Sequence, residues 1–186
     1  MKRGLDILGA LAGLIVLSPV LLILAVAVRL ESPGPALHWS RRVGRFNKIF
    51  AMPKFRSMRT GAPDVATHLL PDPESWITPL GRLMRRTSLD ELPQLWSVLV
   101  GDMSLVGPRP ALFNQDDLVG LRTQAGVEVL RPGLTGWAQV HGRDELPIPD
   151  KARLDAEYLA RRSTWMDLSI IARTAVTAFS GRGVRH

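Results

Sequence analysis

The sequence predicts a predominantly α-helical, membrane-associated protein that carries a small β element. Three observations support this fold class: an apolar block near the N-terminus, apolar residues at helical spacing in several later segments, and two short strand-like pieces close to breaker residues. The chain has 186 residues, a length that favours one globular domain rather than two behind the apolar block.

The composition restricts the classes of partner and of site. Lys and Arg number 24 against 17 Asp and Glu, so the formal net charge is +7. This excess predicts an anionic partner, whether nucleic acid, acidic lipid headgroups or a phosphorylated substrate. The chain has no cysteine, which excludes disulfide bonds, thiolate metal sites and cysteine nucleophiles. The four histidines have no ligand spacing, so no zinc site is expected.

The apolar block covers residues 4–28 and contains one charged residue, Asp6. A helix of about 25 residues at about 1.5 Å per residue is about 37 Å long, enough to cross a hydrocarbon core of about 30 Å. A signal peptide is disfavoured, because no small-x-small cleavage site follows the block. The block is therefore predicted to be a membrane segment that stays with the protein.

Ser18 and Pro19 lie near the middle of this block. Proline removes one helical hydrogen bond, and the Ser18 hydroxyl is expected to bond the carbonyl that proline leaves free. Both ends are basic, with Lys2 and Arg3 before the block and Arg29 after it, and positive charge prefers the cytoplasmic side of a membrane. The residues alone leave two arrangements open: a kinked membrane-spanning helix, and a segment that enters the membrane and turns back.

A breaker sequence at residues 31–35, Glu-Ser-Pro-Gly-Pro, predicts the boundary between the apolar block and the globular part. After it, residues 36–39 and 48–52 are typical of a pair of short strands. Seven basic residues and no acidic residue lie between residues 32 and 63. Because this stretch follows a membrane segment, contact with anionic headgroups or phosphates is favoured over the alternative of a solvated loop surface.

Three further segments have helical patterns. Residues 77–86 place Ile77, Leu80, Leu83 and Met84 on one face and arginines on the others, which indicates either a helix in the membrane interface or an ordinary surface helix. Residues 151–162 predict a charged helix, and residues 164–179 a strongly apolar one that is either core or a second interfacial element. Residues 181–186 are typical of a frayed basic tail.

Residues 87–99, TSLDELPQLWSVL, carry the candidate chemistry. Leu92, Leu95, Trp96 and Leu99 form a helical stripe that predicts burial, and Ser88 with Glu91 has the spacing of a capping box, so a helix is predicted to start here. A purely structural alternative exists for Asp90 and Glu91, because acidic residues in a first turn complement the helix dipole.

The basic surroundings of Asp90 and Glu91 favour a chemical role. Arg82, Arg85 and Arg86 precede the pair, while Gly-Pro-Arg-Pro at residues 107–110 and Arg-Pro-Gly at residues 131–133 follow it. Carboxylates hold magnesium through oxygen, and the metal together with arginines can neutralise a diphosphate. An ionised aspartate can also attack phosphorus to form an acyl phosphate. The pair is therefore a candidate metal and nucleophile site for phosphoryl transfer.

Residues 87–110, TSLDELPQLWSVLVGDMSLVGPRP, closely resemble the signature of the bacterial sugar transferase family, the monotopic phosphoglycosyl transferases that start glycoconjugate assembly. Residues 54–58 (KFRSM) and 131–143 (RPGLTGWAQVHGR) resemble further motifs of this family, as do Asp155 with Tyr158 near the end of the chain. Several long motifs in the right order make the resemblance specific. It covers nearly the whole chain, including the apolar block with its central Ser-Pro.

The resemblance implies an architecture as well as a reaction. It favours the re-entrant arrangement, with a membrane helix hairpin over residues 1–30 broken at Ser18 and Pro19. Residues 31–186 would form a membrane-associated catalytic domain on the cytoplasmic face of the bacterial inner membrane, with interfacial amphipathic helices. The chain lacks the additional N-terminal spans of larger relatives and so resembles the small type. The expected partners are a UDP-sugar, undecaprenyl phosphate and membrane phospholipids.

The resemblance also implies roles for individual residues. Asp90 would attack the β-phosphate of a UDP-sugar, release UMP and hold the sugar phosphate until the polyprenyl phosphate displaces it, in a two-step ping-pong reaction. Glu91 would help to hold magnesium and position or deprotonate the incoming phosphate, and Asp90 would share the metal. The candidate contacts to the phosphates are Lys54, Arg56, Arg86, Arg109 and Arg131, and Gln139 is a candidate contact to the uridine nucleotide.

Alternatives to these roles remain at this stage. Arg109 and Arg131 have possible structural partners in Asp102, Asp116 and Asp117. The sequence departs from the family pattern at two places: His141 stands where many relatives have asparagine, and Met52-Pro53 precedes KFRSM. The residues that form the donor pocket are therefore left unassigned. A membrane-tethered protein that grips nucleic acid or acidic lipid through residues 41–59 is the main competing hypothesis. No groove-reading helix, zinc finger or aromatic RNA platform is evident, so no nucleic acid partner is expected.

Overall fold

The computed structural model describes residues 2–62, 72–142 and 146–180. Within these ranges the protein is mainly helical with two small sheets, as the sequence predicts. The helices are α1 (Lys2–Glu31), α2 (Pro73–Trp76), α3 (Pro79–Thr87), α4 (Gln94–Val100), α5 (Asp116–Gln124), α6 (Trp137–Val140), α7 (Ile148–Arg161) and α8 (Thr164–Ser180). The strands are β1 (Leu37–Val43), β2 (Ile49–Phe55), β3 (Ser104–Val106) and β4 (Gly133–Thr135).

The apolar block forms one helix, α1, which stays helical through Pro19. The predicted re-entrant arrangement stays a prediction, and the backbone is helical across its predicted break at Ser18 and Pro19. The reason is local: Pro19 has no N–H for the carbonyl of Ile15, and the Ser18 hydroxyl donates to that same carbonyl at 2.8 Å. The predicted compensation by Ser18 is confirmed, and the helix continues because the freed carbonyl has a new donor.

One face of α1 is part of the protein's interior. Ala10 lies in an apolar cluster with Met52, Leu95 and Val98, and Val28 lies in a second cluster around Phe55 and Met84. The opposite face is apolar and exposed, with Leu8, Ile15, Val16, Leu22, Ile23 and Leu30 among its large side chains. α1 is the one helix of the described residues that is long and apolar enough to cross a membrane.

The first turns of α1 are bonded to the globular part. Arg3 donates to the carbonyls of Val98 and Leu99 at the end of α4, at 2.6 and 2.8 Å. The buried carboxylate of Asp6 accepts from the Ser104 hydroxyl at 2.9 Å and from the Leu105 N–H at 3.0 Å. Charged side chains at the start of an apolar helix thus satisfy backbone groups that the sheet and α4 leave open.

Lys2 adds a second link, between α1, β3 and α8. Its ammonium donates to the Val106 carbonyl and the Tyr158 hydroxyl at 3.0 Å each, and it pairs with Asp167 at 2.6 Å. Tyr158 is buried and donates to the same Asp167 carboxylate, at 2.6 Å. The sequence pair Asp155 and Tyr158 therefore lies on α7 with Tyr158 directed into a network that joins both ends of the chain.

Strands β1 and β2 form an antiparallel hairpin, so the predicted pair of short strands is confirmed and is longer than predicted. Their register pairs His38 with Lys54 and Arg42 with Phe50. Because side chains alternate between the two faces of a strand, Arg42 and Lys54 lie on the same face of the hairpin. This register brings two cations from one basic stretch to one side of the sheet.

Strands β3 and β4 are parallel, with Ser104 opposite Gly133 and Val106 opposite Thr135. The two strands join the Gly-Pro-Arg-Pro and Arg-Pro-Gly motifs backbone to backbone. A Cβ atom on Gly133 would lie 2.1 Å from the Gly107 nitrogen, a distance that no side chain tolerates. The glycines at these two positions are required because the motif backbones are in direct contact.

The helical segments predicted over residues 77–86, 151–162 and 164–179 form α3, α7 and α8, whereas α2, α5 and α6 were not among the predictions. α3 is capped by Thr78, whose hydroxyl accepts from the Gly81 N–H at 2.9 Å, and it has Pro79 in its first turn. α7 begins three residues earlier than predicted, and α8 carries Trp165 with 80% of its surface exposed. The predicted basic tail, residues 181–186, lies outside the described residues.

Candidate active site

Asp90 and Glu91 lie in a 3-10 turn, Leu89–Glu91, between α3 and α4. The chain reverses at Ser88, whose backbone is left-handed with φ of 57°, and α4 begins only at Gln94, after Pro93. The predicted capping box is wrong, because the Ser88 side chain makes no cap hydrogen bond and Glu91 bonds to other side chains. The burial prediction for Trp96 is also wrong, since 52% of its surface is exposed.

Glu91 is held by two cations. The Arg109 guanidinium donates to its carboxylate through both terminal nitrogens, at 2.9 and 3.5 Å, and the Lys54 ammonium lies 3.6 Å away. Burial by itself would raise the pKa of Glu91, but the charges of Arg109 and Lys54 outweigh it and lower the pKa to about 2. Glu91 is therefore ionised at neutral pH, and its structural alternative as a helix cap is excluded.

Asp90 has a different environment although it is the adjacent residue. It is buried, with 8% of its surface exposed. Burial and the negative charge of Glu91 raise the pKa of Asp90, while the charges of Lys54 and Arg85 act in the opposite direction. A raised pKa makes an ionised carboxylate more basic. Two neighbouring carboxylates whose pKa values are pushed apart are typical of sites that do chemistry.

Four cations from separate parts of the chain surround the two carboxylates. Lys54 comes from β2 and Arg109 from the loop after β3, and their predicted contact to phosphate stays a prediction; burial lowers the pKa of Lys54 against the opposing charge of Glu91. Arg42 and Arg85 were not among the predicted contacts. Arg42 acts electrostatically on Glu91 and Lys54, and Arg85 acts on Asp90 from the end of α3. The site therefore suits a polyanionic ligand.

A buried ion pair holds the backbone of Arg109. Arg122 donates to one carboxylate oxygen of Asp155 at 2.9 and 2.6 Å, and its remaining nitrogen donates to the Arg109 carbonyl at 2.9 Å. Asp155 is 1% exposed, so breaking this pair would leave a buried charge. Asp155 and Arg122 thus hold the backbone of the residue that holds Glu91.

Three of the predicted phosphate contacts lie elsewhere. Arg56 is buried and donates to carbonyls at the end of α1: that of Pro33, that of Ser32 at 2.7 Å and that of Val28 at 3.2 Å. Arg131 donates to the Gly101 carbonyl after α4, at 2.8 Å. Both arginines are drawn to the open carbonyl ends of helices. Arg86 is exposed on α3. Its neighbour Arg85 is the arginine of α3 whose positive charge lowers the pKa of Asp90.

Gln139 lies on α6, and its amide nitrogen donates to the Leu134 carbonyl at 3.2 Å. Its amide oxygen is buried and has no hydrogen-bond partner among the described residues. The amide nitrogen of Gln139 is therefore bonded to strand β4, while its amide oxygen has no such bond. Its predicted contact to the nucleotide stays a prediction.

The geometry of Arg56 predicts a structural rather than a substrate-binding effect. Arg56→Ala is expected to lower the unfolding temperature by several degrees, because three carbonyls at the end of α1 would lose their donor, and to leave the KM for the sugar donor within about twofold. Thermal unfolding in detergent and steady-state kinetics measure the two quantities. Arg153→Ala, which removes an exposed arginine from α7, is the control. A large rise in KM at unchanged stability would restore the original interpretation.

Asp90 and Glu91 fit a magnesium ion that is bound together with a ligand. No group of three or more His, Asp or Glu side chains suited to a metal occurs among residues 2–62, 72–142 and 146–180. Magnesium is commonly held by only one or two carboxylates, with substrate phosphates and water completing its coordination. Two adjacent carboxylates can supply the protein part of this donor set.

Comparison with known proteins shows the family of this chain. A family model described as bacterial sugar transferase matches residues 1–181. The chain is a bacterial sugar transferase. The family membership inferred from the sequence motifs is thereby confirmed, and the match includes the apolar helix α1 as well as the globular part.

Relatives of this bacterial sugar transferase carry the names of related reactions. The UDP-N-acetylgalactosamine-undecaprenyl-phosphate N-acetylgalactosaminephosphotransferase of Aeromonas hydrophila is 38% identical over 100% of this chain and 45% of its own. The UDP-glucose:undecaprenyl-phosphate glucose-1-phosphate transferase of Caulobacter vibrioides is 43% identical over 93% and 67%. An exopolysaccharide production protein of Rhizobium leguminosarum is 41% identical over 98% of both chains.

The lengths of the relatives differ widely. This bacterial sugar transferase spans less than half the length of several of them, with 45%, 43% and 35% of the relative covered. It spans 91% of an uncharacterized sugar transferase of Bacillus subtilis at 40% identity. These three matches nevertheless cover 100%, 99% and 93% of this chain.

Proposed function

We propose that this protein transfers a sugar 1-phosphate from a UDP-sugar to undecaprenyl phosphate and releases UMP, a first membrane step in polysaccharide or glycoconjugate biosynthesis. One observation carries the proposal: a buried Asp90 of raised pKa lies beside an ionised Glu91 within a group of four cations. The names of the relatives support the same donor and acceptor classes. The sugar itself is not fixed by these residues.

In the first step, a carboxylate oxygen of Asp90 forms a bond to the β-phosphorus of the donor. The bond between that phosphorus and the oxygen bridging to the α-phosphate breaks, and UMP leaves with the bonding electrons. Arg109 and Lys54 neutralise charge on the diphosphate and would exchange part of their bonding to Glu91 for phosphate oxygens. Asp90 suits the nucleophile role because its carboxylate is not paired at bonding distance with either cation that holds Glu91.

In the second step, a phosphate oxygen of undecaprenyl phosphate attacks the same phosphorus, and the bond to Asp90 breaks to regenerate the carboxylate. Glu91 lies next to this position and can position the incoming phosphate, or accept its proton once ligand binding has drawn Arg109 away. The covalent intermediate separates the two polyanions in time, so the site never has to hold both at once. The two steps together predict ping-pong kinetics.

Asp90 and Glu91 are the residues that would hold magnesium, and a bound ion would supply charge neutralisation at the diphosphate. The neighbouring cations do not replace this function, because Arg109 and Lys54 are already balanced in part by Glu91. Magnesium dependence is accordingly part of the proposal.

A re-entrant arrangement of α1 is supported by its attachments. Its first turn is bonded to β3 and α4, and its last turn is bonded to Arg56, so both ends are held by the same globular domain. A domain lies on one side of a membrane, and the positive charge at both ends favours the cytoplasmic side. The exposed apolar side chains of α1, of α3 (Leu83) and of α8 (Trp165) would then face the inner leaflet of the bacterial inner membrane.

The proposal is tested with purified protein, magnesium and a panel of UDP-sugars. Intact mass spectrometry is expected to detect an added sugar phosphate with one donor, together with one equivalent of UMP, before any acceptor is present. Adding undecaprenyl phosphate is expected to remove the adduct. Parallel initial-rate lines at several acceptor concentrations would agree with two separate steps. UMP release that strictly requires the acceptor would contradict the covalent intermediate.

A further inference from the structure

A cleft that is lined in part by Arg109 contains a carboxylate that the mechanism above does not use. The cleft has about 350 Å³ of space, which is open to solvent, and lies between the β1–β2 turn and the segment from α5 to β4. Apolar walls and a few polar groups are typical of sites for small organic ligands. The residues that matter to the argument are Asn47, Pro108, Arg109, Arg122, Glu128 and Pro132.

Glu128 is the exceptional group in this cleft. Its Oε2 atom is buried and has no hydrogen-bond partner among the described residues. Leaving a buried carboxylate oxygen without a donor is costly, so such groups usually meet a ligand or a water molecule. Arg122, a cation of the same wall, is bonded elsewhere, because it donates to Asp155 and to the Arg109 carbonyl. Glu128 is thus available to accept from a ligand.

The rim of the cleft is fixed in an unusual backbone conformation. Phe46 and Asn47 both have positive φ, 55° and 56°, which is uncommon for residues other than glycine. Arg45 donates to the Val129 carbonyl at 2.8 Å, and Asn47 donates to the Thr123 hydroxyl at 2.9 Å. Both bonds tie the β1–β2 turn to the segment that carries Glu128. Backbone strain that is held by such contacts is frequent at binding sites.

We propose that this cleft binds the nucleoside part of the sugar donor and that Glu128 Oε2 accepts a hydrogen bond from its base or ribose. The inference rests on the proposed function and assigns the nucleoside end of the same site. Arg109 connects the two parts, because its guanidinium holds Glu91 while the residue also lines the cleft. An extended nucleoside diphosphate can therefore run along Arg109, with its nucleoside between Pro108, Pro132 and Glu128 and its β-phosphate at Asp90.

The chemistry of the acceptor group limits what the cleft can recognise. A carboxylate accepts hydrogen bonds and donates none when ionised, so its ligand must present an N–H or an O–H. Uracil presents the N–H of its position 3, which cytosine lacks, and ribose presents two hydroxyls, one of which is missing from deoxyribose. These differences allow the two possible donors on the nucleoside to be separated by experiment.

The experiment measures the binding of UMP, CMP and dUMP to the full-length protein in detergent by calorimetry. Glu128→Gln is expected to weaken UMP binding about tenfold without a change in unfolding temperature. Glu157→Gln, which neutralises a partly exposed carboxylate on α7, is expected to bind UMP like the wild type. In the wild type, weaker binding of CMP assigns Glu128 to the base, and weaker binding of dUMP assigns it to the ribose.

Three results would overturn the inference: equal UMP affinity in Glu128→Gln and wild type, a loss of affinity that is matched by a lower unfolding temperature, and equal wild-type affinities for all three nucleotides. Failure of the proposed function has a separate signature. If the wild type forms the sugar-phosphate adduct but Glu128→Gln binds UMP normally, only the nucleoside site is wrong. If no UDP-sugar yields UMP and UMP does not bind, the proposed function is wrong.

Discussion

Asp90→Asn is expected to lower turnover by at least about 10⁴-fold and to abolish the sugar-phosphate adduct. The amide has nearly the same shape as the carboxylate but is a far weaker nucleophile, so the first bond to phosphorus cannot form. UMP release measures the turnover, and intact mass spectrometry measures the adduct. Because Asp90 is buried beside the charge of Glu91, replacing it by a neutral group should leave the unfolding temperature unchanged or raise it.

The matched control is Asp150→Asn, which neutralises an exposed aspartate in the first turn of α7. This variant is expected to keep wild-type turnover and to form the adduct. Full turnover in Asp90→Asn would contradict the assignment of the nucleophile. Retention of the adduct in that variant would place the bond on another residue, for which a peptide map would give the position.

Arg109→Ala is expected to lower kcat/KM by about 10²–10³-fold. The change removes the cation that contacts Glu91 at 2.9 Å and that, in the proposed mechanism, neutralises charge on the diphosphate. Arg109→Lys is expected to recover only part of the activity, because a single ammonium cannot reproduce the two-nitrogen contact. Steady-state kinetics over a range of donor concentrations separate the effects on kcat and KM.

The same substitution has a signature in the pH dependence of stability. The pKa of Glu91 in the folded protein is about 2, below its ordinary value of 4.5, so its ion pairs stabilise the fold above pH 4.5 and this contribution is lost as the pH falls toward 2. The stability difference between wild type and Arg109→Ala should follow the same course. Arg161→Ala, which removes an exposed arginine from α7, is the control. A difference that is independent of pH would show that Arg109 acts through packing alone.

The parts of the site that the sequence predicts are those encoded in short contiguous motifs. Asp90 and Glu91 are neighbours in the chain, and Lys54 and Arg109 each lie in a motif with a recognisable pattern. Their convergence follows from the hairpin register and from the parallel contact of β3 with β4, which needs glycine at both motifs. These are local features with specific residue requirements, and local features can be read from a sequence.

The partners of Arg56 and Arg131 depend on contacts that no local pattern encodes. Each guanidinium is bonded at a helix end that is distant in sequence. In the sequence, an arginine that binds a helix end cannot be distinguished from an exposed arginine that is free to bind a phosphate. The position of each residue around helix α3 could have favoured Arg85 over Arg86 as the cation near Asp90. In α3 the buried positions are Gly81 and Met84, so residue 85 borders the buried face while residue 86 faces solvent.

The start of α4 was misplaced because two signals competed. Ser88 and Glu91 have capping-box spacing, but Pro93 follows them two residues after Glu91, and proline is favoured at the beginning of a helix. The structure follows the proline, and α4 begins at Gln94. The carboxylates of Asp90 and Glu91 are thereby released from any capping role and are directed at the cations around them.

The attachment of α1 at both of its ends means that this enzyme has no detachable anchor. Deleting the helix would expose the apolar cluster around Met52 and Val98 to solvent. It would also remove the hydrogen-bond partners of Ser104, Leu105 and Arg56. Substituting an unrelated membrane helix would meet the same obstacle, because Asp6, Ala10 and Val28 fit positions of the globular part. Under the proposed membrane arrangement, lipid insertion of α1 and folding of the candidate site would be coupled, and trimming α1 is expected to unfold the protein rather than to yield a water-soluble form.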